Sequence, residues 1–189
     1  MSSDWDTVVL GDYIKIKHGF AFQGKYFSDM ETKNLLVTPG NFNIGGGFKD
    51  DKFKYYEGPI PEEYILKYQD LIVTMTDLSK KADTLGYSAL VPKIKDQVLL
   101  HNQRIGLVEF ISEGLDKFFL NYVRRSPSYR HHVMSSATGS TVKHTAPSRI
   151  ENYELKIPNL KFQQKIAKIL GDLDRKIEKN NQINETLEA

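Results

Sequence analysis

Six cationic side chains, Lys117, Arg124, Arg125, Arg130, Lys143 and Arg149, share a stretch that holds no Asp or Glu. His131, His132 and His144 are interspersed with them, among many Ser, Thr and Asn. Cations without local counter-charges, set among short polar side chains, have the composition of a phosphate-contacting surface. The competing expectation is a solvated basic face, balanced by acids elsewhere in the fold. Within the stretch, Gly139-Ser140-Thr141-Val142-Lys143-His144 is the most pointed element. Its small residues let backbone N–H groups approach an anion, and its hydroxyls and Lys143 complete the contacts. A second candidate is His101-Asn102-Gln103-Arg104. Asn102 and Gln103 have the donors and acceptors to bridge an adenine edge, and Arg104 those for a guanine edge. Asn102 and Gln103 could equally satisfy buried backbone beside a strand. Lys80 and Lys81 add positive charge to a polar loop at residues 76–86.

Other chemistries find less support. Glu154-Leu155-Lys156 has the Glu-x-Lys spacing of many metal-dependent nucleases, and on a strand Glu154 and Lys156 would share one face. No Asp stands at a convincing distance before it. His131 and His132 are adjacent, so on a helix they diverge, and no carboxylate or Cys is near to complete a ligand set. No Gly-rich nucleotide loop or nucleophile elbow is present. Cys is absent, which excludes disulfides and thiolate metal sites. With no signal-peptide pattern, a cytoplasmic protein is the default expectation. No apolar run approaches membrane-spanning length. The net charge of +2 says little by itself about partners. A chain 40% hydrophobic and 26% charged predicts a packed core.

The elements that must position these residues follow from pattern. Residues 8–10, 13–17, 34–37, 53–56, 71–75, 87–91, 98–100, 105–111 and 153–157 read as strands. Turns are expected at Gly11-Asp12, Pro39-Gly40 and Gly45-Gly46-Gly47. Short helices are expected at 61–66, 116–125 and 128–135, the second with Leu115, Phe118, Phe119 and Tyr122 on one face. Strands dominate roughly the first 110 residues and helices the rest, which predicts a mixed α/β domain with a twisted sheet and flanking helices.

Residues 1–157 are expected to form that domain and 158–189 a separate long helix. Asn159, just after Pro158, is a plausible N-cap. Leu170, Leu173, Ile177, Asn180, Asn184 and Leu187 step by 3, 4, 3, 4, 3, and Ile166 extends this coiled-coil seam backwards. From residue 159 to 187 the helix would run about 42 Å. A stripe that long cannot be buried against a small domain alone and needs a partner helix. The two Asn restrict register at some cost in stability. The chain stops inside the helical pattern at Ala189, which leaves open a fragment of a longer protein or a short natural one.

Taken in order, these residues resemble the specificity subunit of type I restriction–modification systems. The resemblance covers nearly the whole chain. It runs through Trp5, Leu10-Gly11-Asp12, Gly19-Phe20-Ala21-Phe22, Asp70-Leu71-Ile72-Val73-Thr74-Met75, Asn102-Gln103-Arg104 and Gly139-Ser140-Thr141. It continues through Ile157-Pro158, Gln164-Lys165-Ile166-Ala167, Leu173-Asp174-Arg175-Lys176-Ile177 and Asn184-Glu185-Thr186-Leu187-Glu188. Gln69 stands where that family usually has Gly, and Asn159 replaces the second proline of its usual pair.

The resemblance implies one target recognition domain plus one spacer helix, half of a usual subunit, reading one half of a bipartite duplex site. It implies methyltransferase subunits that use S-adenosylmethionine and restriction subunits that use ATP and Mg²⁺ as partners, with no cofactor and no catalysis in this chain. It further suggests that two copies pair through antiparallel helices, giving two inverted half-sites. The remaining alternative is an assembly module that uses its coiled coil and carries an incidental basic face.

Overall fold

The computed structural model describes residues 5–188 apart from 78, 80 and 141. The chain first lays down β1 (Asp6–Val9), β2 (Ile14–His18), β3 (Phe27–Ser28), β4 (Asn34–Val37) and β5 (Lys54–Tyr56). It continues through β6 (Leu71–Thr74), β7 (Thr76–Asp77), β8 (Ser88–Leu90), β9 (Val98–His101) and β10 (Ile105–Phe110). The helical part holds α1 (Lys117–Val123) and α2 (Pro127–Ser135), then β11 (Lys143–His144), α3 (Pro147–Glu151), β12 (Glu154–Ile157) and α4 (Leu160–Glu188). The mixed α/β class agrees with expectation, but the strands form several sheets rather than one. Two are four-stranded, in the orders β2-β10-β6-β8 and β3-β5-β4-β9; two are two-stranded, β1-β12 and β11-β7.

β6 explains how the two larger sheets share the interior. All four of its residues are buried, and successive side chains on a strand point to opposite faces. Leu71 and Val73 join a core that includes Leu10, Phe119, Leu120, Tyr129, Val133, Ile150 and Ala167, beneath the helices. Ile72 faces the other way and packs with Leu35, Val37, Leu99 and Ile105, between the two four-stranded sheets. A charge at any of these positions would be desolvated on both sides.

The helices begin where their caps stand. Asp116 accepts from Phe119 N at 2.8 Å at the start of α1. Ser126 accepts from Tyr129 N at 3.3 Å ahead of Pro127 in α2. Asn159 accepts from Phe162 N at 3.0 Å and so caps α4, as its position predicts; such a cap contributes about 1 kcal/mol. The root of α4 is pinned by the buried Gln163. Its amide donates to Gly114 O and Pro158 O, both at 2.8 Å, and accepts from Asp116 N at 2.9 Å. Ile166 and Ala167 lean on the core under α1. From Leu173 to Glu188 every residue of α4 is exposed. No helix among the described residues is long and apolar enough to cross a membrane.

Candidate nucleic-acid interface

The loop between β9 and β10 carries the His101–Arg104 motif, and its shape is imposed from outside. Phe20 N donates to His101 O at 2.8 Å, and Gln103 N donates to Phe20 O at 3.0 Å. Gly19 lies so close that a Cβ there would sit 2.1 Å from Asn102 O and 2.5 Å from His101 O. The Gly19-Phe20-Ala21-Phe22 run is therefore a brace for this loop. His101 is fully buried, with Nε2 2.8 Å from Ile105 O. Burial pushes its imidazole down to about 4, so it is neutral at physiological pH and serves the loop's geometry. Asn102 is 9% exposed, and its Oδ1 accepts from Arg104 N at 3.2 Å. Gln103 and Arg104 are exposed.

The second motif is brought to the same face by a two-residue ladder. Lys143 pairs with Asp77 and His144 with Thr76, and Thr145 N donates to Met75 O at 3.0 Å. Thr138 and His144 close the hairpin with reciprocal backbone bonds of 3.0 and 2.9 Å. Gly139 is required inside it: φ is +95°, and a Cβ would lie 2.0 Å from Val142 O. Ser140 and His144 are exposed and Lys143 is half-buried. His144 Nδ1 lies 3.1 Å from Thr76 Oγ1.

Two adjoining clefts result. One, of about 460 Å³, is lined by Phe22, Phe27, Lys54, Asp77, Asn102 and Arg104 among others. The other, of about 500 Å³, is lined by His18, Thr76, Gln103, Arg104, His144 and Thr145 among others. Gln103 and Arg104 border both, and the two predicted motifs meet across the second, which His144 also lines. The walls from Phe22, Phe27 and Lys54 were not legible as site residues. Asp77 was also missed. It is 3% exposed and accepts from Ser79 N and Thr84 N at 2.6 Å and Thr84 Oγ1 at 2.7 Å. Burial pushes its carboxyl up, but the hydrogen bonds from Thr84 and Ser79 outweigh that and hold it below the ordinary carboxylate range. Asp77 thereby shapes the polar loop that carries Lys81, which is exposed. Lys80 and Thr141 lie outside the described residues.

The basic stretch is not one surface, and several of its cations serve the fold. Arg130 donates to Ala82 O and Leu85 O and stacks over Tyr87 at 4.8 Å, clamping the loop before β8. Arg125 pairs with Asp174 of α4 at 2.9 Å. Lys117 donates to Gln69 O at 2.8 Å.

Arg124 is a clear correction. It is 0% exposed, lies over the Tyr129 ring at 5.7 Å, and has no carboxylate partner among the described residues. It cannot reach a ligand on the surface. Desolvating an unpaired cation costs free energy that a similarly sized apolar side chain does not. Arg124→Met is therefore expected to raise the melting temperature by roughly 2–8 °C and to leave DNA affinity unchanged, as calorimetry and filter binding would measure. A melting temperature lowered by the change would contradict this account.

The helix seam is also redistributed. Ile166 and Leu170 line a groove of about 620 Å³ with Phe119, Tyr122 and Tyr153 of their own domain. The exposed aliphatic stripe is Ile169, Leu173, Ile177, Ile183 and Leu187, the last 80% exposed. Asn180 and Asn184 are exposed along the same stretch. Glu154 and Lys156 do share an exposed strand face, but no group of three His, Asp or Glu is placed to hold a metal among the described residues.

Comparison with known proteins adds a family. The model of the type I restriction modification DNA specificity domain matches residues 2–189. The specificity subunit of the type I restriction enzyme MjaVIII of Methanocaldococcus jannaschii is 26% identical over 189 residues, 98% of this chain and 43% of that one. The EcoBI specificity subunit of Escherichia coli is 26% identical over 169 residues, 89% of this chain and 32% of that one. Among solved structures, the type I restriction–modification S subunit from M. genitalium aligns with a TM-score of 0.62 at 15% identity, over 94% of this chain and 41% of that one. The HsdS subunit from Thermoanaerobacter tengcongensis aligns with a TM-score of 0.60 at 12% identity, over 94% and 39%. The chain thus spans less than half the length of these relatives.

Proposed function

Because the chain belongs to the type I restriction modification DNA specificity family, we propose that it reads one half of a bipartite duplex DNA site and performs no chemistry itself. The observation that carries this reading is the meeting of Gln103 and Arg104 with His144 of the hairpin across one cleft. Amide and guanidinium groups beside a cationic hairpin combine base-edge readers with phosphate contacts. Residues 1–157 act as the recognition unit and 158–189 as the spacer helix. The partners are methyltransferase subunits, which supply S-adenosylmethionine chemistry, and restriction subunits, which use ATP and Mg²⁺. Asn102, with its Oδ1 already engaged by backbone, orients the loop at the edge of the first cleft.

Two substitutions separate the roles. Lys143→Ala should weaken all duplexes alike and lower the slope of log affinity against log salt by about one unit. Arg104→Ala should relax a single position of the selected site at a cost of roughly 1–3 kcal/mol. Filter binding over a salt series, with selection from random duplexes, measures both. Affinity and selected sequence unchanged in both variants would move the DNA surface elsewhere.

The exposed stripe on α4 supports a second copy as its cover; the family resemblance, not the stripe, favours antiparallel helices with the recognition units at opposite ends. A two-fold pair of that kind would read two identical half-sites in inverted orientation. Ile169 and Ile183 widen the stripe beyond the residues expected from heptad spacing.

A further inference from the structure

Where α1 ends, three side chains meet α4 four turns from its start. Asp174 Oδ2 accepts from Tyr122 Oη and from Arg125 Nη1, both at 2.9 Å. The Arg125 guanidinium lies over the Tyr122 ring at 4.9 Å. Behind it stands the hairpin of residues 43–47, where a Cβ on Gly46 would come within 3.0 Å of the Arg125 side chain. Burial and the Asp174 carboxylate push the Tyr122 hydroxyl up to about 12, so it remains a donor at any ordinary pH. We infer that this cluster is a latch that sets the angle at which α4 leaves the domain, and through that angle the number of base pairs between the two half-sites.

The mechanics follow from the helix's other attachments. Gln163, Ile166 and Ala167 hold its root, and nothing beyond Asp174 is buried against the domain. Asp174 is therefore the distal of two anchor points. From Ala167 to Glu188 the helix is about 32 Å long, so a swing of about 10° about the root moves its far end about 5 Å. One base pair spans roughly 3.4 Å of duplex. A latch that holds the angle within a few degrees fixes the spacing, and a loose one blurs it. Control of the spacing rests on the two-copy reading above; control of the exit angle does not.

The absence of Cys makes site-directed labelling direct. Spin labels at Lys33→Cys and Glu185→Cys, in chains diluted with unlabelled protein, report the domain-to-tip distance. The wild-type latch should give one narrow distribution. Tyr122→Phe with Arg125→Gln should broaden it by several ångströms while circular dichroism keeps the helix signal. An unchanged distribution overturns the latch. Selection from random duplexes, with the methyltransferase partner present, tests the consequence. Wild type should recover one spacing, and the variant the same half-site sequences over two or more spacings. A single unchanged spacing in the variant overturns the control of spacing. Recovery of lone half-sites by wild type removes the two-copy reading and control of the spacing with it, and the distance measurement then decides the latch alone.

Discussion

Gly19→Ala should cost about 3 kcal/mol, lower the melting temperature by roughly 6–12 °C, and disable the 101–104 loop. The added methyl would sit 2.1 Å from Asn102 O and 2.5 Å from His101 O, which are backbone atoms that cannot rotate aside. Either the loop or the end of β2 must move. The same shift strains the bonds from Phe20 N to His101 O and from Gln103 N to Phe20 O. DNA affinity should therefore fall more than the stability loss explains at temperatures where the protein is fully folded. Gly24→Ala is the control, since nothing lies within 4 Å of that position. Calorimetry with binding measured at 10 °C distinguishes the two variants. If Gly19→Ala keeps wild-type stability and binding, the brace is not needed.

If two copies pair through α4 as proposed, Leu173→Asp combined with Ile177→Asp should convert the pair into monomers. In the single chain the two side chains are 50% and 58% exposed. Four aliphatic side chains leave a two-copy seam; each is only about half exposed to begin with, so each contributes about half of the roughly 1.5–3 kcal/mol for full burial, and association should weaken at least about a hundredfold. The fold of the domain should survive, because neither residue touches its core clusters. Sedimentation equilibrium measures the change. A wild-type chain monomeric at high micromolar concentration would refute self-pairing and reserve the stripe for another protein's helix.

What could be read from the sequence is what periodicity and local chemistry encode. The apolar run at Leu71–Thr74, the cap at Asn159 and the helix after Asp116 are each determined by neighbours in sequence. The two candidate DNA-contacting motifs follow from side-chain chemistry alone. What was missed depends on distant partners. α3 is five residues long and is fastened by Glu151, whose carboxylate accepts from Ile16 N at 2.8 Å. β7 and β11 are two residues each, too short for any alternation. Arg124 belongs to the most water-seeking residue type, and only its packing beside Tyr129 places it inside. Gln163 looks like an ordinary helix-surface amide until three backbone groups are found around it. Composition singles out the basic stretch but cannot say which cations are spent on carbonyls and carboxylates.

The pairing of β1 with β12 has an evolutionary corollary. Asp6 stands opposite Ile157 and Val9 opposite Glu154, so the strand that enters the domain lies beside the strand that leads to α4. Entry and exit points side by side make everything between them a cassette. Exchange of the enclosed segment by recombination, with crossovers in β1 and β12, would carry the 101–104 loop together with Tyr122 and Arg125, the domain's half of the joint to Asp174. Substitutions confined to the loops at residues 101–104 and 138–145 would instead leave Tyr122, Arg125 and Asp174 untouched, so under the proposed reading the letters read could change while the exit angle of α4 is kept.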